Sequence, residues 1–318
     1  MTYGDIKGSE RLREAISAIY KKQTIRNVLI THGTIGANML VHKTIVEPGD
    51  RVISVVPTYQ QHFSIPKSIG ADIKFLQLRE EENWLPELDE LKKLVQPETK
   101  LIALTNPNNP TGSLIERDLL IQITEIAREV GAWVLCDEVY RGINQQGNGM
   151  TSSIVDIYEK GISTAGMSKA YSLAGLRLGW ITAPESLIED AMVHRDYDTI
   201  SVGMIDDYFA TIALENFDRL LERSHKITRG NLSYLSTWIK DEPKLSWVKP
   251  KSGTTALVKL ELPIKSYDFC VNLIKETGVM FTPGAALGME GFIRIGYANN
   301  TEVLKTGLRR VSKYLETL

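Results

Sequence analysis

Cysteine is scarce in this chain: its 318 residues include two, Cys136 and Cys270. Two thiols exclude a disulfide framework and suit a reducing compartment, where a buried cysteine behaves as a small hydrophobe. Long apolar runs are missing as well, and none approaches the ~20 residues needed to span a bilayer. The opening residues, Met1-Thr2-Tyr3-Gly4-Asp5, hold neither a basic nor an apolar stretch, so no secretory leader is visible. Excess charge is also lacking. The formal net charge is −2, which gives no electrostatic reason to expect nucleic acid as a partner. There is no internal repeat, no low-complexity segment and no basic helix-turn-helix stretch. What is present is ordinary for a globular protein, with 43% hydrophobic and 24% charged residues. These features read as a cytoplasmic protein, without a membrane partner, large enough for one big domain or a big and a small one.

Strand-like and helix-like segments alternate along the first two thirds. Short apolar runs at 28–31, 51–55, 72–77, 100–104 and 132–136 read as strands. Helical stretches fall between them, following Gly33, near 60–69, at 86–95 and from about Glu116 to Val130. Such repetition predicts a mostly parallel sheet with helices on both faces. In sheets of that kind ligands collect beyond the carboxyl ends of the strands. The pattern changes after residue 222. Strands at 247–248, 255–258 and 292–295, a helix from Tyr267 to Glu276 and a closing helix from Thr301 predict a smaller α+β domain. The boundaries are therefore expected at 1–222 and 223–318, with a mostly helical stretch from Ser201 to Ile239 carrying the chain across.

Several residues at the predicted strand ends have chemistry to offer. Lys169 lies among small neighbours in Gly166-Met167-Ser168-Lys169-Ala170, with Arg177 eight residues later in Gly-Leu-Arg-Leu-Gly-Trp. A lysine that attacks a carbonyl must be neutral, held and reachable, and a nearby fixed cation can lower its pKa and hold an anionic ligand tail. Gly33-Thr34-Ile35-Gly36 follows a strand and opens a helix, so its free amides could hold a phosphate or simply form a turn. Asn106-Pro107-Asn108-Asn109-Pro110-Thr111-Gly112 is more specific: two Asn-Pro steps after a buried strand can turn the Asn109 amide into a cleft. Asp137 follows an apolar strand, where it could cap a helix or face a protonated ring nitrogen, and Tyr140 stands three residues on. Tyr59 could stack on a flat heterocycle or pack in the ordinary way. Arg294, among apolar neighbours, wants a carboxylate from a ligand or from a structural partner. No metal-ligating cluster is indicated.

Taken together and in order, these motifs resemble fold type I pyridoxal-5′-phosphate enzymes, specifically the class I/II aminotransferases. The resemblance spans the chain: Tyr3 and Gly8 with Leu12-Arg13-Glu14-Ala15, the Gly33 loop, Tyr59, Asn109-Pro110-Thr111-Gly112, Asp137-Glu138-Val139-Tyr140, Ser168-Lys169, Arg177 and Arg294. It implies an α/β fold with a mostly parallel seven-stranded sheet sandwiched by helices, plus a smaller C-terminal α+β domain. It also implies pyridoxal 5′-phosphate as cofactor, held as a Schiff base on Lys169, with Asp137 at the pyridinium nitrogen. Asn109 and Tyr140 would bond the phenolic oxygen, and Tyr59 would stack on the ring. Ser168, Arg177 and the Gly33-Thr34-Ile35 backbone would serve the phosphate. Arg294, with Asn109, would grip the substrate α-carboxylate. Tyr3 would reach the phosphate of a neighbouring subunit, making a homodimer with shared sites. The implied activity is ping-pong transfer of an amino group between an α-amino acid and a 2-oxo acid, with Lys169 as general base.

The sequence departs from the family pattern twice. Many members carry a serine three residues before the lysine, where this chain has Gly166. Members also have several dozen residues ahead of the Tyr-x(4)-Gly element, whereas this chain starts almost at Tyr3, so the resemblance leads one to expect a first segment that is missing. A carbon–sulfur β-lyase, a decarboxylase or a cyclising synthase would use the same lysine and aspartate. A regulatory cofactor-binding module and a truncated non-catalytic relative are the remaining alternatives. Members acting on acidic substrates use an additional arginine near the side-chain pocket, and His194-Arg195-Asp196-Tyr197 is the candidate stretch here.

Overall fold

The structure, a computed structural model, describes residues 2–318. Among the described residues the first unit contains α1 (Glu10–Ser17), β1 (Val28–Thr31), α2 (Gly33–Ile45), β2 (Arg51–Val56), α3 (Gln61–Ile69), β3 (Asp72–Gln77) and α4 (Leu88–Leu94). It continues with β4 (Thr99–Thr105), α5 (Arg117–Val130), β5 (Trp133–Asp137), β6 (Gly161–Gly166), β7 (Gly179–Thr182), α6 (Glu185–Arg195) and α7 (Met204–Glu215). Helix α8 (Phe217–Asp241) leads to β8 (Leu245–Trp247), β9 (Thr255–Leu260), α9 (Ser266–Thr277), β10 (Thr282–Pro283), β11 (Phe292–Gly296) and α10 (Thr301–Glu316).

Seven strands form one sheet in the order β1-β7-β6-β5-β4-β2-β3. Pairing is parallel from β3 across to β6, and β7 runs antiparallel to both its neighbours, β6 and β1. Six strands, β1 to β6, therefore end at the same edge. The central strands are buried on both faces, which is why they read as unbroken apolar runs rather than alternating ones. Helices cover the sheet through amphipathic stripes: α5 buries Leu120, Ile123, Thr124, Ile126 and Ala127 at helical spacing and stops at Gly131, whose left-handed backbone (φ +70°) suits glycine. A four-stranded antiparallel sheet, β10-β11-β9-β8, with α9 and α10 makes the smaller unit.

The change of pattern expected at 222/223 falls within α8, which runs unbroken through it. Leu221 packs in the core of the large sheet, and Leu232, Leu235 and Trp238 pack in the core of the small one. One 25-residue helix is thus shared by both units. The strands β6 and β7 were not marked by apolar runs. Gly161-Ile162-Ser163-Thr164-Ala165-Gly166 is buried throughout although four of its six residues are glycine, serine or threonine. Its polar side chains are paired: Ser163 Oγ donates to Glu138 Oε2 at 2.9 Å and Thr164 Oγ1 to Asn38 Oδ1 at 2.6 Å.

Candidate active site

The shared strand edge brings together most of the residues the sequence singled out. A cavity of about 260 Å³ is lined by Thr34 and Ile35 after β1, Tyr59 after β2, Asn109 after β4, Asp137 and Tyr140 after β5, and Ser168, Lys169 and Arg177 between β6 and β7. The topology alone explains the convergence. Parallel strands send their carboxyl ends, and the turns that follow, to one side of the sheet.

Asp137 is the buried charge of this cavity, 4% exposed. Its Oδ2 accepts from Asn38 Nδ2 at 2.8 Å and lies 3.5 Å from His62 Nε2, while its Oδ1 accepts the Val139 amide at 3.1 Å. Two donors, the Asn38 amide and the Val139 backbone N–H, hold the carboxylate aimed, with His62 packed beside it. Sequence reasoning missed Asn38 and His62, and also Gln61, whose Nε2 donates to Ile35 O at 2.9 Å. The available signal was polarity on a buried helix face. Asn38 is one turn after Thr34 on α2, and His62 is three residues after Tyr59. Behind them His42 is wholly buried, and burial, reinforced by His62, pushes its pKa down to about 3, so it is neutral.

The start of α2 is built as an anion cradle. His32 provides no side-chain cap, so the first amides of this 13-residue helix have no partner within it. Thr34 Oγ1 is buried without a hydrogen-bond partner among the described residues. Arg177, held in a left-handed backbone (φ 48°), donates to Ala174 O at 2.8 Å and reaches Ser168 Oγ at 3.4 Å. A Cβ placed on Gly33 (φ +66°) would come within 2.9 Å of the Arg177 guanidinium. Glycine there permits both the turn and the close approach of the cation. The same crowding accounts for Gly166: a Cβ at that position would stand 2.7 Å from Thr34 Oγ1, so the threonine hydroxyl fills the space where a longer side chain would begin.

Lys169 Nζ lies 6.0 Å from the centre of the Tyr140 ring. Burial lowers the Lys169 pKa first, Arg294 and Arg177 lower it further, and Asp137 opposes them. Its amine therefore becomes neutral at lower pH than that of an ordinary lysine. Capture of an aldehyde needs the neutral amine, so its rate should rise with pH and level off below the usual lysine range. Arg294→Gln removes the second cause and should move that midpoint upward. Stopped-flow absorbance across a pH series measures both. Tyr140 is nine-tenths buried or more, and burial raises its pKa to about 12, so it keeps its O–H as a donor.

On the small-unit side, Arg294 of β11 donates to Asn109 Oδ1 at 3.3 Å and to Thr282 Oγ1 at 3.2 Å. Asn109 thus has its oxygen committed to Arg294 while its amide N–H₂ remains available to a ligand. Tyr59 is 41% exposed at the cavity wall, whereas Tyr3 is 77% exposed and does not line the cavity. The stretch at 194–197 does not join the site. Arg195 is 1% exposed, donates to the Ile30 carbonyl behind β1, and is absent from the cavity wall. Burial lowers its pKa to about 10, which is the mark of a packed structural arginine.

A doubly covered seven-stranded sheet with lysine, aspartate, asparagine, tyrosine and arginine at its carboxyl edge defines a transferase that uses pyridoxal phosphate. A profile of the family "Aminotransferase class I and II" matches residues 1–311, and the chain belongs to that family, whose members use pyridoxal 5′-phosphate. The chain is 40% identical to a PLP-dependent aminotransferase from Streptococcus suis of known crystal structure, with a TM-score of 0.97 over 100% of this chain and 84% of that one. It is 28% identical to the capreomycidine synthase of Streptomyces vinaceus, over 99% of this chain and 81% of that protein. It is also 28% identical to an aspartate aminotransferase of Pyrococcus horikoshii, over 97% and 82% respectively. The chain is accordingly a pyridoxal-phosphate-dependent aminotransferase. No helix among the described residues is long and apolar enough to cross a membrane.

The site's own features fit the cofactor. Uncapped amides, an unpartnered buried hydroxyl and a guanidinium converge where its phosphate would lie, and a buried carboxylate with room before it suits a protonated pyridine nitrogen.

Proposed function

We propose that this chain moves an amino group between an α-amino acid and a 2-oxo acid, with Lys169 Nζ as the group that takes the proton from the substrate α-carbon. The observation that carries the reading is the meeting of Lys169, Asp137, Asn109, Tyr140 and Arg177 in one cavity. When bound, pyridoxal phosphate supplies an electron-accepting ring that stabilises negative charge at that carbon. Asp137 would keep a proton on the ring nitrogen. Tyr140 O–H and the Asn109 amide would donate to the ring's phenolic oxygen, and Tyr59 would cover one face. Thr34, Ser168, Arg177 and the amides of Gly33 to Ile35 would hold the phosphate. Arg294, steadied by Asn109 and Thr282, offers a planar fork to the substrate α-carboxylate. Burial and Arg294 lower the Lys169 pKa, which favours the neutral amine that a general base needs.

The test is a scan of amino donors with a 2-oxo acid acceptor on the cofactor-loaded protein. Stoichiometric exchange of amino and oxo groups is the expected result. Release of ammonia and pyruvate without an acceptor would instead mark a lyase, the chemistry nearest to this one on the same residues.

A homodimer belongs to the same proposal. Helix α7 exposes Met204, Ile205, Tyr208 and Phe209, each about half exposed, beside Gly4 and Arg11. So contiguous an apolar face calls for a cover, and a second copy would also bring its Tyr3 hydroxyl to the neighbouring phosphate cradle. Ile205→Glu together with Phe209→Glu should give monomers by sedimentation, with turnover lower by roughly 10-fold or more as the shared contact is lost. A monomer with full activity would contradict this. The two free, buried cysteines suit a cytoplasmic setting.

A further inference from the structure

Residues 251–255 of the small unit lead into β9, and they are wedged between the Asn109 turn and the chain that follows Tyr140. The Gly112 carbonyl ends the Asn109 turn and accepts the amides of Lys251 and Ser252 at 2.9 and 3.0 Å. A Cβ on Gly112 (φ +70°) would stand 2.6 Å from Pro250 Cβ, so glycine permits this close docking. On the other side the Gln145 amide donates to Lys251 O at 3.0 Å, and Ser252 Oγ donates to Asn144 Oδ1 at 2.9 Å. Tyr297, wholly buried, fixes the segment again. Its hydroxyl donates to Gly253 O at 2.7 Å and its backbone amide to Thr254 O at 3.0 Å. Thr255 then pairs with Gly296 as β9 joins β11.

The backbone and Ser252 therefore seat this segment, and two threonine hydroxyls are left over. They meet different partners. The Thr255 hydroxyl is shared between Pro110 O at 3.2 Å and Asn109 Oδ1 at 3.5 Å. Arg294 Nη1 donates to the same Asn109 oxygen at 3.3 Å. Two donors at Oδ1 fix which way the amide faces, because its N–H₂ end could accept from neither. The Thr254 side chain meets Tyr140. Burial raises the Tyr140 pKa and the hydrogen bond with Thr254 lowers it, the sign of a threonine that donates to the tyrosine oxygen. A hydroxyl whose oxygen receives one hydrogen bond gives its own proton more strongly to the next acceptor. Neither threonine lines the cofactor cavity, whereas Asn109 and Tyr140 both do.

We infer that Thr254 and Thr255 are positioning residues of the cofactor site: Thr254 strengthens Tyr140 as a donor, and Thr255 turns the Asn109 amide toward the ligand. The inference rests on the proposed function, in which Tyr140 and Asn109 serve the phenolic oxygen of the cofactor. Through this pair of adjacent hydroxyls the small unit sets the charge on a ring held by the large one.

The test is a pH titration of the absorbance of the cofactor bound on Lys169. Donors at the phenolic oxygen stabilise its negative charge, so the neighbouring Lys169 nitrogen gives up its proton at lower pH. Weaker donation moves the midpoint up. Thr254→Val and Thr255→Val keep the side-chain shape and remove the hydroxyl. Each is expected to raise the midpoint by about 0.5 to 1 pH unit, the scale of one hydrogen bond. Thr254→Ser and Thr255→Ser should bring it back, whereas a role in packing alone would make serine the harsher change. Thr254→Val should add nothing to Tyr140→Phe, nor Thr255→Val to Asn109→Ala, because the group each acts through is gone. A valine variant with the wild-type midpoint, or a shift that persists in those backgrounds, overturns the role of that threonine and leaves the aminotransferase reading intact. Tyr140→Phe and Asn109→Ala alone test the reading beneath it. Each should raise the midpoint, and if neither does, the phenolic oxygen is held by other groups and the inference falls with that assignment.

Discussion

Lys169→Ala is expected to lower the rate of the amino-donor half-reaction by about 10⁴-fold or more, the upper end of what a positioned proton carrier contributes. The protein should stay folded and still take up pyridoxal phosphate non-covalently, because the cradle at the start of α2 and Arg177 does not depend on the lysine. The reason for so large an effect lies in the surroundings. Lys169 is the amine that burial, Arg294 and Arg177 together bias toward its neutral form, and it sits beside the Tyr140 ring in the wall of the cofactor cavity. Single-turnover absorbance with a good donor measures the loss. An effect below about 10-fold would place the proton transfer elsewhere.

Asp137→Asn is expected to cost on the order of 10²- to 10³-fold in the same half-reaction, the range seen when a pre-aimed electrostatic partner of the reacting system is removed. The carboxylate is 4% exposed and is held by Asn38 Nδ2, the Val139 amide and the nearby His62. An asparagine of the same shape keeps the position and loses the charge. Asp137→Glu, which keeps the charge and misplaces it, should recover part of the loss. If Asp137→Asn and Asp137→Glu were equally impaired, position rather than charge would be the operative property. The cofactor's absorption maximum, read across a pH series, should shift in Asp137→Asn, because the ring nitrogen loses the partner that holds its proton.

Much of this site was legible because its residues are in turns that directly follow strands, and turns carry strong local signatures. The doubled Asn-Pro step, the glycine turn after β1 and the Ser-Lys turn after β6 each read from neighbouring residues alone. Asp137 was legible from one contrast, an acid ending an apolar strand. The supporting residues were not, because Asn38, Gln61 and His62 stand on helices whose inward faces only the folded sheet defines. Strand β6 escaped for a related reason. Its burial is satisfied by side-chain hydrogen bonds to Glu138 and Asn38 rather than by apolar side chains, so hydrophobicity gave no sign of it. Strand β7 is four residues long, too short for a period to show. Within 194–197, Arg195 sits under β1, and no local pattern distinguishes a structural arginine there from a substrate-binding one.

Hydride reduction of the protein loaded with pyridoxal phosphate, followed by peptide mass mapping, tests the central claim most directly. The account predicts one reduced cofactor per chain, fixed to Lys169, and none in Lys169→Ala. Reduction that leaves the Lys169 peptide unmodified, or labels a different lysine, would contradict it.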